Sequence, residues 1–257
     1  MTWRGIRIAL LLAILATVGL DAWLTRTRTT GWDKTLRVSV YPIVADGRPA
    51  TRDYVARLTR EDFSAVESFV RREALRYGIA IAEPVRVTLR QALDQLPPLP
   101  PRERSVSGTI GWSLKLRWWA SRREAGQARP RSPVRIFALY YDPETSPSVA
   151  HSLGLKEGLI GIVHAFAARA MTPTNNVVIA HELLHTLGAT DKYEAASGLP
   201  RFPEGYAEPQ RQPRHPQVAA ELMGGRIPLA PGRAEIPVSL DDVVVGPATA
   251  AEIGWHP

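Results

Sequence analysis

Four segments of the chain have apolar residues spaced as in β-strands. Alternation of apolar and polar residues at 36–44 (LRVSVYPIV) and 85–90 (VRVTLR) predicts strands with one buried face. The nearly continuous apolar run at 132–142 predicts a central strand buried on both faces. A similar run at 157–171 predicts one more strand or two short ones. These segments together predict a sheet.

Helical patterns lie between and after these strands. Residues 59–78 begin at a possible capping box of Thr59 and Asp62 and end at Gly78, a frequent helix terminator. Residues 108–122 and the stretch around VIAHELLHTLG also predict helices. The order of elements is strand, helix, strand, helix, strand, strand, helix. This order predicts an α+β fold in which helices pack on a mixed, twisted sheet.

The chain changes character after residue 191. Residues 195–217 include five prolines and few apolar side chains, which predicts a long irregular segment. Residues 247–253 predict a short final helix, because Pro247 suits a first helical turn and Gly254 suits a helix end. We therefore expect the C-terminal part of the protein to be small and mostly irregular.

The N-terminal segment 1–24 resembles a targeting sequence. Two arginines precede an uncharged run of 13 residues, Ile8–Leu20, which suits the apolar part of a signal peptide. Because no good cleavage site follows, we expect a signal anchor that spans the membrane as a transmembrane helix, with a cleaved signal peptide as the alternative. A polar linker at 25–34 then leads to a domain at 35–257 outside the cytoplasm, periplasmic or extracellular, or secreted if the segment is cleaved.

The composition limits the catalytic mechanisms, metal ligands and partners that are possible. The chain has no cysteine, which excludes disulfides and thiol catalysis and leaves His, Asp and Glu as metal ligands. The net charge of +7 comes from scattered basic residues, which favours a solvated basic surface. No nucleic-acid partner is expected, because no motif for DNA or RNA recognition accompanies the charge.

The stretch HELLHTLGATD predicts a metal site. His181 and His185 are four residues apart, so on a helix they lie on one face and can hold one ion. Gly188 allows a sharp turn at the helix end, after which Asp191 can return as a third ligand. Glu182 lies beside the open position, where it can act as a general base. The pattern predicts a catalytic Zn²⁺ site with three protein ligands and one water.

This stretch resembles the zinc signature of the metzincin metallopeptidases, in the snapalysin-like variant with aspartate as third ligand. The resemblance implies an upper lobe (35–188) containing the sheet and the active-site helix. It also implies a lower lobe (189–257) with a methionine turn and a final helix. Met223 in AELMGG suits that turn, as a packing residue beneath the metal. The resemblance further implies that the strand before the active-site helix, GLIGIVHAF, borders the cleft and pairs with the substrate.

Alternatives exist for the third ligand. Glu204 or Glu208 could take this role, as in thermolysin-like enzymes. Those enzymes carry the glutamate on a second helix, however, and prolines interrupt this part of the chain. Glu194 and His215 are weaker candidates, and Tyr193 is interpreted as a residue that packs in a loop.

The sequence therefore predicts a zinc-dependent endopeptidase that acts on a peptide or protein substrate. One alternative is a non-catalytic envelope binding module on a metallopeptidase fold. Another is a zinc hydrolase of a non-peptide amide, such as a cell-wall crosslink. The presence of Glu182 favours an enzyme over a binding module, because this residue has no metal-binding role in the pattern.

Overall fold

A five-stranded sheet forms the centre of the protein. The computed structural model describes residues 7, 31–101, 105–125, 132–156 and 158–255. The strands are β1 (Leu36–Val44), β2 (Val85–Leu89), β3 (Val134–Tyr141), β4 (Leu153–Leu155) and β5 (Ile160–Phe166). Their order in the sheet is β2-β1-β3-β5-β4, with β4 antiparallel to β5 and the other pairs parallel. The prediction of a mixed sheet, and of the strands β1, β2, β3 and β5, is confirmed.

Helices cover both faces of this sheet. The described helices are α1 (Pro49–Ala56), α2 (Ser64–Arg76), α3 (Val106–Ala125), α4 (Thr172–Leu187) and α5 (Pro247–Glu252). A short 3₁₀ turn, Arg60–Phe63, precedes α2, and the predicted capping box of Thr59 and Asp62 forms there. The main core lies between the sheet and the helices α1, α2 and α4, and a second core lies between the sheet and α3. The fold is therefore α+β, as predicted.

Alternation along the strands separates the two cores. In β5, Val163 and Ala165 belong to the core that contains α4, whereas Ile160 and Ile162 belong to the core beneath α3. His164 follows the same alternation and lies on the α3 side, where its Nδ1 is 3.1 Å from the hydroxyl of Tyr141. His164 is thus on the opposite face of the sheet from α4.

The strand that borders the sheet beside α4 is β4, and the expectation that GLIGIVHAF forms this border is wrong. That segment contains β5, which pairs with β3 on one side and with β4 on the other. The strand β4 has only three residues, one of them Gly154, so it is too short to produce a recognisable alternation. The helix α1 was not predicted either, because it has only eight residues.

The C-terminal part is mostly irregular, as predicted. Two small strand pairs occur there: β6 (Ala220–Glu221) with β9 (Val243–Val244), and β7 (Ile227–Ala230) with β8 (Arg233–Glu235). The predicted final helix is α5. Trp32 packs on Trp255 with ring centroids 5.3 Å apart, and its Nε1 donates a hydrogen bond to Ile253 O. Trp32, which the sequence predicts to lie in the linker, thus contacts the C-terminal end of the domain.

The expectation of a transmembrane anchor requires correction. Across the described residues, no helix combines the length and the apolar character that crossing a membrane requires. The helix α3 has 20 residues, but Lys115, Arg117, Arg122 and Arg123 interrupt its apolar surface. The segment 1–24, on which the expectation was based, lies outside the described residues except for Arg7.

Candidate metal centre

The helix α4 carries the two histidines at the edge of the main core. Pro173 occupies its first turn, and Gly188 ends it in the left-handed conformation with φ 109°. Ile179 and Leu183 are buried against the sheet. Burial of this apolar side fixes the rotation of the helix, so that the histidines face the C-terminal part of the chain.

Three potential ligand atoms converge at the end of α4. Nε2 of His185 lies 3.1 Å from Nε2 of His181 and 3.1 Å from Oδ1 of Asp191. Nε2 of His181 lies 3.3 Å from the same carboxylate oxygen. Among the described residues, no other group of three or more His, Asp or Glu side chains converges in this way. The residues that the sequence predicted as ligands therefore lie together.

Backbone carbonyl groups determine which histidine nitrogens face this point. Nδ1 of His181 lies 2.9 Å from Leu222 O, and Nδ1 of His185 lies 2.8 Å from Ala189 O. A carbonyl oxygen only accepts hydrogen bonds, so each Nδ1 carries a proton and donates. When a metal ion replaces any proton on Nε2, this arrangement directs the Nε2 lone pair of each histidine towards the point next to Asp191. This is the second hydrogen bond that metal-binding histidines usually make.

The donor set fits a divalent ion such as zinc. Zinc lies about 2.0–2.1 Å from nitrogen and oxygen ligands, so tetrahedral geometry places neighbouring ligand atoms about 3.3 Å apart. The observed separations of 3.1, 3.1 and 3.3 Å agree with this value. Two imidazole lone pairs and a carboxylate oxygen also repel one another unless a cation or a proton lies between them. His181, His185 and Asp191 thus form a group that can hold a metal ion.

The charges at the site shift the pKa values of its members. Burial tends to lower the pKa of His181, but the hydrogen bond with Asp191 and the charge of Glu182 outweigh it and raise the pKa. Burial tends to raise the pKa of Asp191, but hydrogen bonds with both histidines hold this pKa well below its usual range. Asp191 is therefore a carboxylate at neutral pH, as a metal ligand must be.

Glu182 is a buried carboxyl group beside this triad. Its side chain packs under β4, and a Cβ atom added to Gly154 would come within 3.2 Å of Glu182 Oε2. This Oε2 atom is buried, and it has no hydrogen-bond partner within the described part of the chain. Burial raises the pKa of Glu182 to about 6, against an ordinary value of 4.5, and the neighbouring histidines only partly offset the rise. A pKa near neutrality suits a general base.

This raised pKa predicts that Glu182 lowers the stability of the metal-free protein at neutral pH. The folded state prefers the protonated form, so its stabilisation is complete below about pH 4.5 and is lost as the pH rises through about 6. The shift corresponds to roughly 2 kcal/mol of unfolding free energy. Urea unfolding can compare the wild type with Glu182→Gln, both in chelator. As the pH rises through this window, the unfolding free energy of the wild type should fall by this amount relative to that of the variant. A difference independent of pH would contradict the prediction.

A tight turn after β6 contacts the candidate metal centre through Leu222 O, which bonds His181. Met223, in the same turn, is fully buried in the main core. Glu221, also fully buried, accepts hydrogen bonds from Gly224 N, Gly246 N and Thr249 Oγ1. Glu221 thereby fixes the turn that contains Leu222, whose carbonyl oxygen orients His181.

The other third-ligand candidates lie apart from the triad. Glu204 is exposed, and Glu208 forms an ion pair of 2.8 Å with Arg211. Glu194 is exposed and accepts a hydrogen bond from Ser197, while His215 pairs with Tyr206. None of the four belongs to the converging group of ligand atoms described above.

Tyr193, interpreted from the sequence as a loop residue, lies beside the centre. Its ring centroid is 6.5 Å from that of His181. Burial, reinforced by the charge of Asp191, raises the pKa of Tyr193 to about 12, so its hydroxyl stays protonated at neutral pH. Its position two residues after Asp191 was the available signal in the sequence.

No protein-family model matches this chain, and no curated protein matches it either.

Proposed function

We propose that this protein is a zinc-dependent endopeptidase of the metzincin type. The observation that carries the proposal is the convergence of His181, His185 and Asp191 beside the buried carboxyl group of Glu182. Three protein ligands leave one position for water, which is the usual composition of a catalytic zinc site. A structural zinc site normally has four protein ligands, so this set favours catalysis.

In this proposal Glu182 moves the proton. When bound, zinc lowers the pKa of a water molecule and polarises the carbonyl group of a substrate. Glu182 accepts a proton from the attacking water as the water oxygen forms its bond to the carbonyl carbon. Glu182 then donates that proton to the amine nitrogen of the leaving peptide as the C–N bond breaks. Tyr193 keeps its phenolic proton throughout.

The free edge of β4 is the proposed binding site for the substrate backbone. Within the described chain, β4 pairs only with β5, so its other edge has backbone groups available for an added strand. Gly154 lies so close to α4 that an added Cβ atom would come within 2.3 Å of His185 Cβ. A peptide paired with this edge therefore runs past the candidate metal centre.

Side-chain alternation determines which face of the sheet each side chain of the added strand points to. Leu155 packs in the core beneath α3, and Gly154 faces α4. A paired residue points to the same face as its partner. The substrate residue opposite Gly154 thus directs its side chain to the α4 side, while its neighbours direct theirs to the α3 side.

The arrangement of the whole domain supports the metzincin assignment. A sheet with packed helices precedes α4, and an irregular part with a buried methionine turn and a final helix follows it. Both features are implied by the resemblance of HELLHTLGATD to the metzincin signature. Export from the cytoplasm, which the N-terminal sequence suggests, is part of the same proposal.

The function is tested by assaying the full chain against a broad peptide library. We expect cleavage that a chelator abolishes and that added zinc restores, because the metal supplies the activated water. Mass spectrometry of the products would identify internal cleavage sites, as expected of an endopeptidase. Cleavage that is insensitive to chelators would contradict the proposal.

Two alternatives have different outcomes in the same assay. Zinc binding without cleavage of any peptide would favour a non-catalytic binding module. Zinc-dependent release of fragments from a cell-wall preparation, with no peptide cleaved, would favour a hydrolase of non-peptide amides. Glu182 favours peptide hydrolysis over the binding module, because a buried carboxylate without a partner is costly to keep in a protein that does not use it.

A further inference from the structure

A buried lysine follows the third ligand of the candidate metal centre. Lys192 is only 1% exposed, although it carries a positive charge. Its Nζ lies 2.8 Å from both carboxylate oxygens of Glu252, which belongs to α5. It also donates to Thr190, at 3.0 Å to the carbonyl oxygen and 2.7 Å to Oγ1. An ammonium group buried in this way is tolerated only because its partners satisfy it.

Glu252 also accepts hydrogen bonds from Thr190, the residue before Asp191. Glu252 Oε2 accepts a hydrogen bond of 2.9 Å from Thr190 N, and Oε1 accepts one of 2.7 Å from Thr190 Oγ1. Asp191 thus lies between two residues that are both bonded to one carboxylate on α5. In addition, the backbone N of Lys192 donates to Met223 O at 2.8 Å.

Asp191 needs such support more than the histidines do. Its side chain is 42% exposed, whereas those of His181 and His185 are 14% and 16% exposed. The histidines are held by the helix α4, but Asp191 lies on a loop that begins at Gly188, the most permissive residue for backbone motion. A loop that must be ordered when a ligand binds weakens binding, because its entropy is lost at that step.

We propose that Thr190, Lys192 and Glu252 form a clamp that holds Asp191 in position to bind the metal. The inference rests on the proposed function, since it assigns Asp191 to the metal site. In the clamp, Lys192 and Glu252 are positioning residues that touch neither metal nor substrate. The C-terminal helix α5 thereby contributes to metal affinity from a position 60 residues further along the chain than Lys192.

The clamp is tested by measuring zinc affinity in Lys192→Met and Glu252→Gln. We expect each change to weaken zinc binding by about 10- to 100-fold, as is typical when a partner of a metal ligand is removed. The visible spectrum of the cobalt-substituted protein should change as well, because it reports the ligand geometry. The matched control is Asp142→Asn, which breaks the ion pair of another buried residue, that of Asp142 with the exposed Arg48 at 2.8 Å. We expect this control to lose stability and to keep the dissociation constant for zinc.

The outcomes distinguish a failure of the clamp proposal from a failure of the metal site itself. If the wild type binds zinc and both clamp variants bind it equally well, the clamp is overturned and the metal site stands. If the wild type binds no zinc, the metal site and the clamp are both overturned. Should Lys192→Met fail to fold, Glu252→Gln decides alone, because it preserves the size of the side chain and removes the charge that pairs with Lys192.

Discussion

Replacement of Glu182 by glutamine is expected to abolish peptide cleavage while zinc remains bound. Glutamine has nearly the same shape, but its amide group cannot accept and return a proton as the carboxylate does. General acid–base catalysis contributes about 10²- to 10⁴-fold, so we expect kcat to fall by at least two orders of magnitude. Zinc content, measured by elemental analysis, should stay at one ion per chain, since the ligand atoms belong to His181, His185 and Asp191.

Glu194→Gln is the matched control for this experiment. Glu194 lies three residues after Asp191 and is exposed, and its carboxylate accepts a hydrogen bond from Ser197. We expect this variant to keep both activity and zinc. Full activity in Glu182→Gln would remove Glu182 from the mechanism, and loss of zinc in that variant would make Glu182 a ligand rather than a base.

Replacement of Asp191 by alanine is expected to weaken zinc binding by more than 100-fold. Loss of a partner that merely orients a ligand typically costs about 10- to 100-fold, and removal of the ligand itself should cost more. Two histidines then remain, which is fewer than catalytic zinc sites normally have. Competition with a chromogenic chelator would measure the dissociation constant in both proteins.

Glu204→Ala and Glu208→Ala are the controls, because these residues are the rival third ligands. Glu204 is exposed and Glu208 pairs with Arg211, so we expect both variants to bind zinc as the wild type does. Unchanged affinity in Asp191→Ala, together with a loss in either control, would move the third ligand to the irregular segment. That result would contradict the assignment based on the present geometry.

The site was predictable wherever its residues are close in sequence. Helical geometry alone places His181 and His185 on one face, because residues four apart lie one turn above another. Gly188 predicted the end of α4, and it adopts the expected left-handed conformation. The same local reasoning offered Asp191 as a ligand, since it lies three residues after the glycine, but it left Glu204 and Glu208 as alternatives.

Features that depend on distant parts of the chain were not predictable. The strand β4 is too short to have a periodicity, and only its pairing with β5 makes it the border of the sheet. As a result, the sequence pointed to the wrong strand for the edge of the sheet. The raised pKa of Glu182 likewise depends on burial beneath β4, which no local pattern indicates.

The sequence by itself determined the strands β1, β2, β3 and β5, the helix α4 and the spacing of its histidines, because local periodicity and backbone geometry are sufficient for these. The tertiary structure decided that Asp191, and neither Glu204 nor Glu208, meets the histidines. It also decided that Lys192 is buried against Glu252. These two residues are 60 positions apart in the sequence, so they meet only when the sheet, α4 and α5 pack together.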